Sequence, residues 1–254
     1  MVVYEDLFPL ITSTIAINTA SAVESWKKAN APEYPTPPPM KVSVVVPAWH
    51  EPKELLEISL KSLKRQNVVY SYPEMFEFIF VGCEGDDLSI PEKLGYKILC
   101  APRGKLKARH LGAESSSGGI IVSADADSYF PPNWLNLMLL PFRESGVVGT
   151  TSKTWHEGAE VFLYLPLNLY YSTKMTGRGC AYLKDAYYKV GGFKLYYDDL
   201  FEKTRDPGVM MEEEEFGFMK RLRGIGKVVL VDAPVVHLGE PKGRGLRYFE
   251  GSFF

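Results

Sequence analysis

The feature that most limits what this chain can become is a set of short, unbroken apolar runs. "KVSVVVPAW" (Lys41–Trp49) is a β-branched run stopped by proline, and "EFIFVGC" (Glu77–Cys83), "YKILCA" (Tyr96–Ala101) and "GGIIVSADAD" (Gly118–Asp127) repeat the pattern. A strand that is apolar on both faces must be covered on both faces, which points to a parallel sheet rather than a half-wet antiparallel one. The intervening segments read as helices. "EPKELLEISLKSLKRQN" (Glu51–Asn67) sets Leu55, Leu56, Ile58, Leu60 and Leu63 at helical spacing, and "GKLKARHLGAESS" (Gly104–Ser116) continues the alternation. The order β-α-β-β-α-β predicts an α/β fold with a mostly parallel central sheet flanked by helices. A chain of 254 residues, 46% hydrophobic, is long enough to bury such a core.

In sheets of this kind ligands bind beyond the carboxyl ends of the strands. Those ends carry Trp49 to Glu51, the acidic turn Glu84 to Asp87, and Asp125 and Asp127. Two carboxylates one residue apart repel each other and stay ionised cheaply only when a cation neutralises them. Mg²⁺ or Mn²⁺ held this way keeps water and takes further ligands from substrate phosphates. Asp-x-Asp-Ser before Pro-Pro is also good turn chemistry, which is the competing reading of the same residues. A formal net charge of −2 gives no reason to expect nucleic acid as a partner.

Four segments in order resemble family 2 glycosyltransferases of the GT-A, Rossmann-like fold, over about Val42 to Leu238. They are "VSVVVPAWHEPKELLEISLKSLKRQ", "GKLKARHLGAESSSGGIIVSADADSYFPPNWL", "GRGCAYLKDAYYKVGGF" (Gly177–Phe193) and "MEEEEFGFMKRLRGIGKVVLVDAPVVH" (Met211–His237). The resemblance implies an inverting transfer of a sugar from a nucleoside-diphosphate sugar to an acceptor hydroxyl on a glycan, lipid or protein, with Mn²⁺ or Mg²⁺ as cofactor. It implies that Asp125 faces the ribose and Asp127 the metal, with His237 completing the metal shell. Pro47, Trp49, Glu51, Lys105, Arg109 and Gly179 fall at the family's donor and acceptor positions, and Glu84 is a further substrate-binding candidate just beyond the place of its nucleobase-reading aspartate. A carboxylate of the run Glu212–Glu215 would act as general base. Aligning Phe216 and Gly224 with the family pattern makes Glu213 the base, the preferred reading; aligning Arg221-Leu222 and Gly226 makes it Glu215. The family has Asp-Asp after the second strand where this chain has Gly82-Cys83, so a UDP-sugar is only the default donor. A nucleotidyltransferase and an inactive nucleotide-sugar binder are the alternatives. The first normally carries a Gly-rich loop where this chain has Pro-Ala-Trp-His-Glu, and the second would need loss of the base.

The ends of the sequence read differently from its middle. Leu7 to Val23 is uncharged but threaded with hydroxyl residues, and falls short of the roughly 20 apolar residues of a membrane span. It reads either as a helix packed on the domain or on another subunit of a homo-oligomer, or as an interfacial membrane helix. "APEYPTPPPM" (Ala31–Met40), with five prolines in ten residues, reads as an extended spacer. The expected organisation is an N-terminal helical segment 1–30, a linker 31–40, a catalytic domain 41–240 and a tail 241–254. In the tail, "RGLRYFEGSFF" loosely resembles the Gln-x-x-Arg-Trp element of hyaluronan and chitin synthases, with Arg247-Tyr248 for Arg-Trp and Arg244 in the Gln place. Glu5 and Asp6 stand where a signal peptide would be basic, and three scattered cysteines (Cys83, Cys100, Cys180) fit a reducing compartment. Both favour the cytoplasm, at the membrane surface on the interfacial reading.

Overall fold

The computed structural model describes residues 20–31, 35–82, 85–156, 179–206, 208–209 and 212–238. Residues 20–30 form helix α1. Then follow β1 (Val42–Pro47), α2 (Lys53–Lys64), α3 (Asn67–Ser71), β2 (Phe76–Gly82), α4 (Ser89–Lys93) and β3 (Lys97–Cys100). The middle holds α5 (Lys105–Glu114), β4 (Ile120–Ala124), β5 (Ser128–Tyr129), α6 (Trp134–Leu139) and β6 (Val147–His156). The last part holds β7 (Gly179–Leu183), α7 (Lys184–Lys189), α8 (Tyr196–Thr204), a π-helical turn (Glu212–Gly217), α9 (Phe218–Arg223) and β8 (Lys227–His237).

These strands make one eight-stranded sheet in the order β3-β2-β1-β4-β7-β6-β8-β5. The β3-β2-β1-β4 half is parallel throughout, as the apolar runs predict. Beyond β4 the sheet becomes mixed: β7 runs antiparallel to β4 and β6, β8 parallel to β6, and β5 antiparallel to β8.

Alternation along β1 divides the core between the two sheet faces. Val42, Val44 and Val46 pack with Leu56, Leu60 and Leu63 of α2, while Val45 points to the other face with Leu106 and Ala113 of α5. Helix α5 lies so close to β1 that a Cβ on Gly112 would collide with Val45. Charges reinforce α2, with Glu54 in its first turn and Lys61 and Lys64 in its last, matching the helix dipole.

The chain before β1 also lies on the domain. Ala29 is fully buried, and its carbonyl accepts a 2.8 Å hydrogen bond from the Asn133 amide. The Ser25 hydroxyl bonds to Asp232, which also pairs with the buried Lys153 at 2.7 Å. In the proline-rich stretch the Pro35 carbonyl accepts from the Tyr72 hydroxyl at 3.3 Å, and the Pro37 carbonyl accepts from Arg143. Most of the apolar stretch from Leu7, and the whole 241–254 tail, lie outside the described residues. No described helix is long and apolar enough to cross a membrane.

Candidate active site

The carboxyl ends of β1, β2 and β4 open on a cavity of about 330 Å³. Pro47, Trp49 and Glu51 line it from the β1 end, Gly82 from β2, and Asp125 and Asp127 from β4. The β3–α5 loop adds Arg103, Gly104 and Lys105, and one side of α8 adds Asp198, Phe201 and Glu202. β4 stops at Ala124, so both aspartates stand just beyond its end.

The two aspartates have different partners. Asp125 accepts from Arg109 Nη2 at 2.5 Å and lies 3.4 Å from Lys105 Nζ. Arg109 is itself buried to 1% exposure, donates to Ser123, and reaches Glu214 at 2.8–2.9 Å; Lys105 meets the same Glu214 at 3.0 Å. Burial disfavours charge on both Lys105 and Arg109, but the Asp125 and Glu214 carboxylates outweigh it and raise both cations above their ordinary values. Both therefore stay cationic beside a site that an anion would enter.

Asp127 faces His237 instead, with Oδ1 3.4 Å from the imidazole Nδ1. A two-rung ladder fixes this approach: Ser128 pairs with His237 and Tyr129 with Val236, and the Leu238 amide donates to the Asp127 carbonyl at 2.9 Å. The carboxylate oxygen suits Mn²⁺ or Mg²⁺, and the imidazole nitrogen beside it favours Mn²⁺, the softer of the two. Among the described residues no three His, Cys, Asp or Glu side chains converge as a metal cluster. A cation here would take the rest of its coordination from water and phosphate oxygens.

The remaining candidates separate. Glu213 is 2% exposed and bound to the Arg221 guanidinium at 2.5 and 3.0 Å and to the Lys194 amide at 2.8 Å. Its neighbour Glu214, rather than Glu213, joins the Asp125 cluster. The Glu215 side chain and all of Glu84 lie outside the described residues. Gly179 does not line the cavity; it pairs with Ala124 at the end of β4 and packs where a Cβ would come within 2.9 Å of the Trp134 ring. Sequence reasoning missed Asp198. Its carboxylate accepts from the Leu106 and Lys107 amides at 3.2 and 2.8 Å and so caps α5. Gly104, at φ 142°, permits this approach, since a Cβ there would collide with Asp198. It also missed Arg103, whose guanidinium lies 4.3 Å from the Trp49 ring centroid, and Glu202, which pairs with Arg103 Nε at 3.0 Å.

Comparison with known proteins agrees with this architecture. The chain resembles the mannosyltransferase PcManGT from Pyrobaculum calidifontis, solved with GDP-Man and Mn²⁺, at TM-score 0.57 and 18% identity over 92% of this chain and 69% of that one. It also resembles GalNAc-T7, solved with UDP, GalNAc and Mn²⁺, at TM-score 0.61 and 16% identity over 80% of this chain. That alignment spans only 45% of GalNAc-T7. At such identities the likeness shows the GT-A fold alone. No curated protein matches. The sequence profile of Glycosyl transferase family 2 matches residues 43–205, most of the parallel half-sheet and the cavity it carries, and the chain belongs to that family.

Proposed function

We propose that this glycosyltransferase moves a sugar, with inversion, from a nucleoside diphosphate to an acceptor hydroxyl, using Mn²⁺ or Mg²⁺. The observation that carries the reading is the Asp127–His237 pair at a cavity edge, beside an Asp125 already neutralised by Arg109 and Lys105. Asp127 and His237 would hold the cation. When bound it would supply charge neutralisation for the leaving diphosphate. Lys105 adds a fixed positive charge that needs no reorganisation as the diphosphate departs. Arg109, fully buried, holds the Asp125 carboxylate in one orientation, leaving it to position the ribose. The relatives solved with GDP-Man or UDP and Mn²⁺ support this class of donor; UDP- and GDP-sugars both belong in the first panel. The acceptor is a glycan, lipid or protein hydroxyl.

The base is a carboxylate of the acidic run. Glu213, preferred from the sequence, is committed to Arg221, and Glu214 to Lys105 and Arg109, which favours the alternative register of the sequence reading. That register makes Glu215 the base. The deciding test of the metal reading is calorimetry with UDP and GDP, with and without Mn²⁺. Binding should require the metal, and Asp127→Ala should abolish most of that requirement; equal affinity with and without metal in the parent protein would overturn the proposal.

A further inference from the structure

Trp49 is the large aromatic side chain that the cavity wall exposes most, at 47%. It stands two residues past β1, which pairs directly with β4, the strand that carries the aspartates. Its indole is already in use. The Arg103 guanidinium lies 4.3 Å from the ring centroid, one stacking distance, and the His50 ring stands beside it at 5.6 Å and 44°. Arg103 does not rest there by chance of rotamer. Its Nε is held at 3.0 Å by Glu202 Oε1, and the other Glu202 oxygen is pinned by Arg205 at 3.0 Å. Three separate elements thus meet at the stack: the turn after β1, the β3–α5 loop, and α8.

A planar cation on an aromatic face and a nucleobase on that face make the same kind of contact, with similar area and the same dependence on ring overlap. At 4.3 Å no base fits between them. We propose that Arg103 and the donor's nucleobase compete for one face of Trp49, with Glu202 holding the arginine as a resident cover, so that seating the base exchanges it for the guanidinium. The proposal rests on the donor reading above and deepens it. It makes Arg103 and Glu202 opponents of donor binding although both line the cavity. That sign is unusual for an arginine beside an expected diphosphate, and it is what makes the idea testable.

The experiment is calorimetry on the full chain with three probes in Mn²⁺: UDP, GDP and inorganic pyrophosphate. Arg103→Ala should tighten UDP or GDP by about two- to fivefold and leave pyrophosphate unchanged. Glu202→Gln, which releases the arginine without removing it, should move nucleotide affinity the same way by less. Trp49→Ala should weaken the nucleotide about tenfold or more and spare pyrophosphate. Both substituted side chains of the cover are partly exposed, and unchanged melting temperatures would confirm that the fold is intact. If Arg103→Ala leaves nucleotide affinity unchanged, or weakens nucleotide and pyrophosphate alike, the exchange is overturned and Arg103 is at most a phosphate ligand. If the parent binds pyrophosphate but gains nothing from a base, the stacking face has no role and the proposal falls while the metal reading stands. If the parent binds none of the three, the donor reading itself fails.

Discussion

Glu213 and Glu214 are adjacent in sequence and have unrelated partners. One is clamped by Arg221, and the other pairs with Lys105 and Arg109. Glu213→Gln should therefore act on stability. It removes half of a buried, charge-assisted pair, costing about 1–3 kcal/mol, with turnover near normal. Glu215→Gln should act on chemistry, lowering turnover by about 10²–10⁴ with donor affinity unchanged. Thermal melts and turnover on both variants check this; collapse of turnover in the Glu213 variant alone would return the base to that residue. The four glutamates could not be told apart in the sequence for a specific reason. The turn Glu212–Gly217 is π-helical, so an angular count based on 3.6 residues per turn assigns their directions wrongly. Asp125, Asp127, Lys105 and Arg109 were legible because short-range context, a strand end and a helix start, fixes where they stand.

Helix α5 carries Lys105 and Arg109, and it is held at its start by a residue of another helix. Burial raises the Asp198 pKa from 3.8, against the lowering effect of the Lys107 and Leu106 amides. A carboxyl whose pKa is raised on folding binds its proton more tightly in the folded state. The stability it contributes is greatest at low pH and declines as pH rises through and above 3.8. The stability advantage of the parent over Asp198→Ala should accordingly shrink as pH rises from the acid end, levelling above the raised pKa. Loss of the cap costs about 1 kcal/mol. Denaturant melts of both proteins across the acid range measure this. An advantage that grows with pH would mean that the attraction of the ionised carboxylate for the helix start exceeds its burial cost. This cap spans 92 positions of sequence, so no local pattern announces it. Strand β6 was hidden for a related reason: its Thr150, Thr151 and Ser152 are fully buried yet polar. Thr150 donates to the Met138 carbonyl and Ser152 to the Gly179 carbonyl, an arrangement hydropathy does not report.

At the scale of the molecule, the proline-rich stretch and helix α1 bear on the domain rather than merely preceding it. Deleting residues 1–39 should leave a folded protein, because every described residue lining the cavity comes from Pro47 onward. It also strips Ser25 from the Lys153–Asp232 pair and uncovers the Asn133 amide now bonded to Ala29. The truncated protein should melt about 5–10 °C lower with nucleotide affinity intact; scanning calorimetry and titration decide it, and lost nucleotide binding would place the segment within the catalytic unit. The parallel half of the sheet was readable from four apolar runs, whereas the mixed half depends on pairings between strands far apart in the chain. The ladder between β5 and β8 has a consequence for how the protein comes into being. Asp127 emerges from the ribosome about midway through the chain, but its partner His237 is among the last of the described residues to follow. All four strands of the parallel half-sheet have been synthesised by Ala124, long before the pair proposed to grip the metal is complete. On the proposed function, metal competence would then be acquired late in biosynthesis: a chain interrupted before β8 would lack His237.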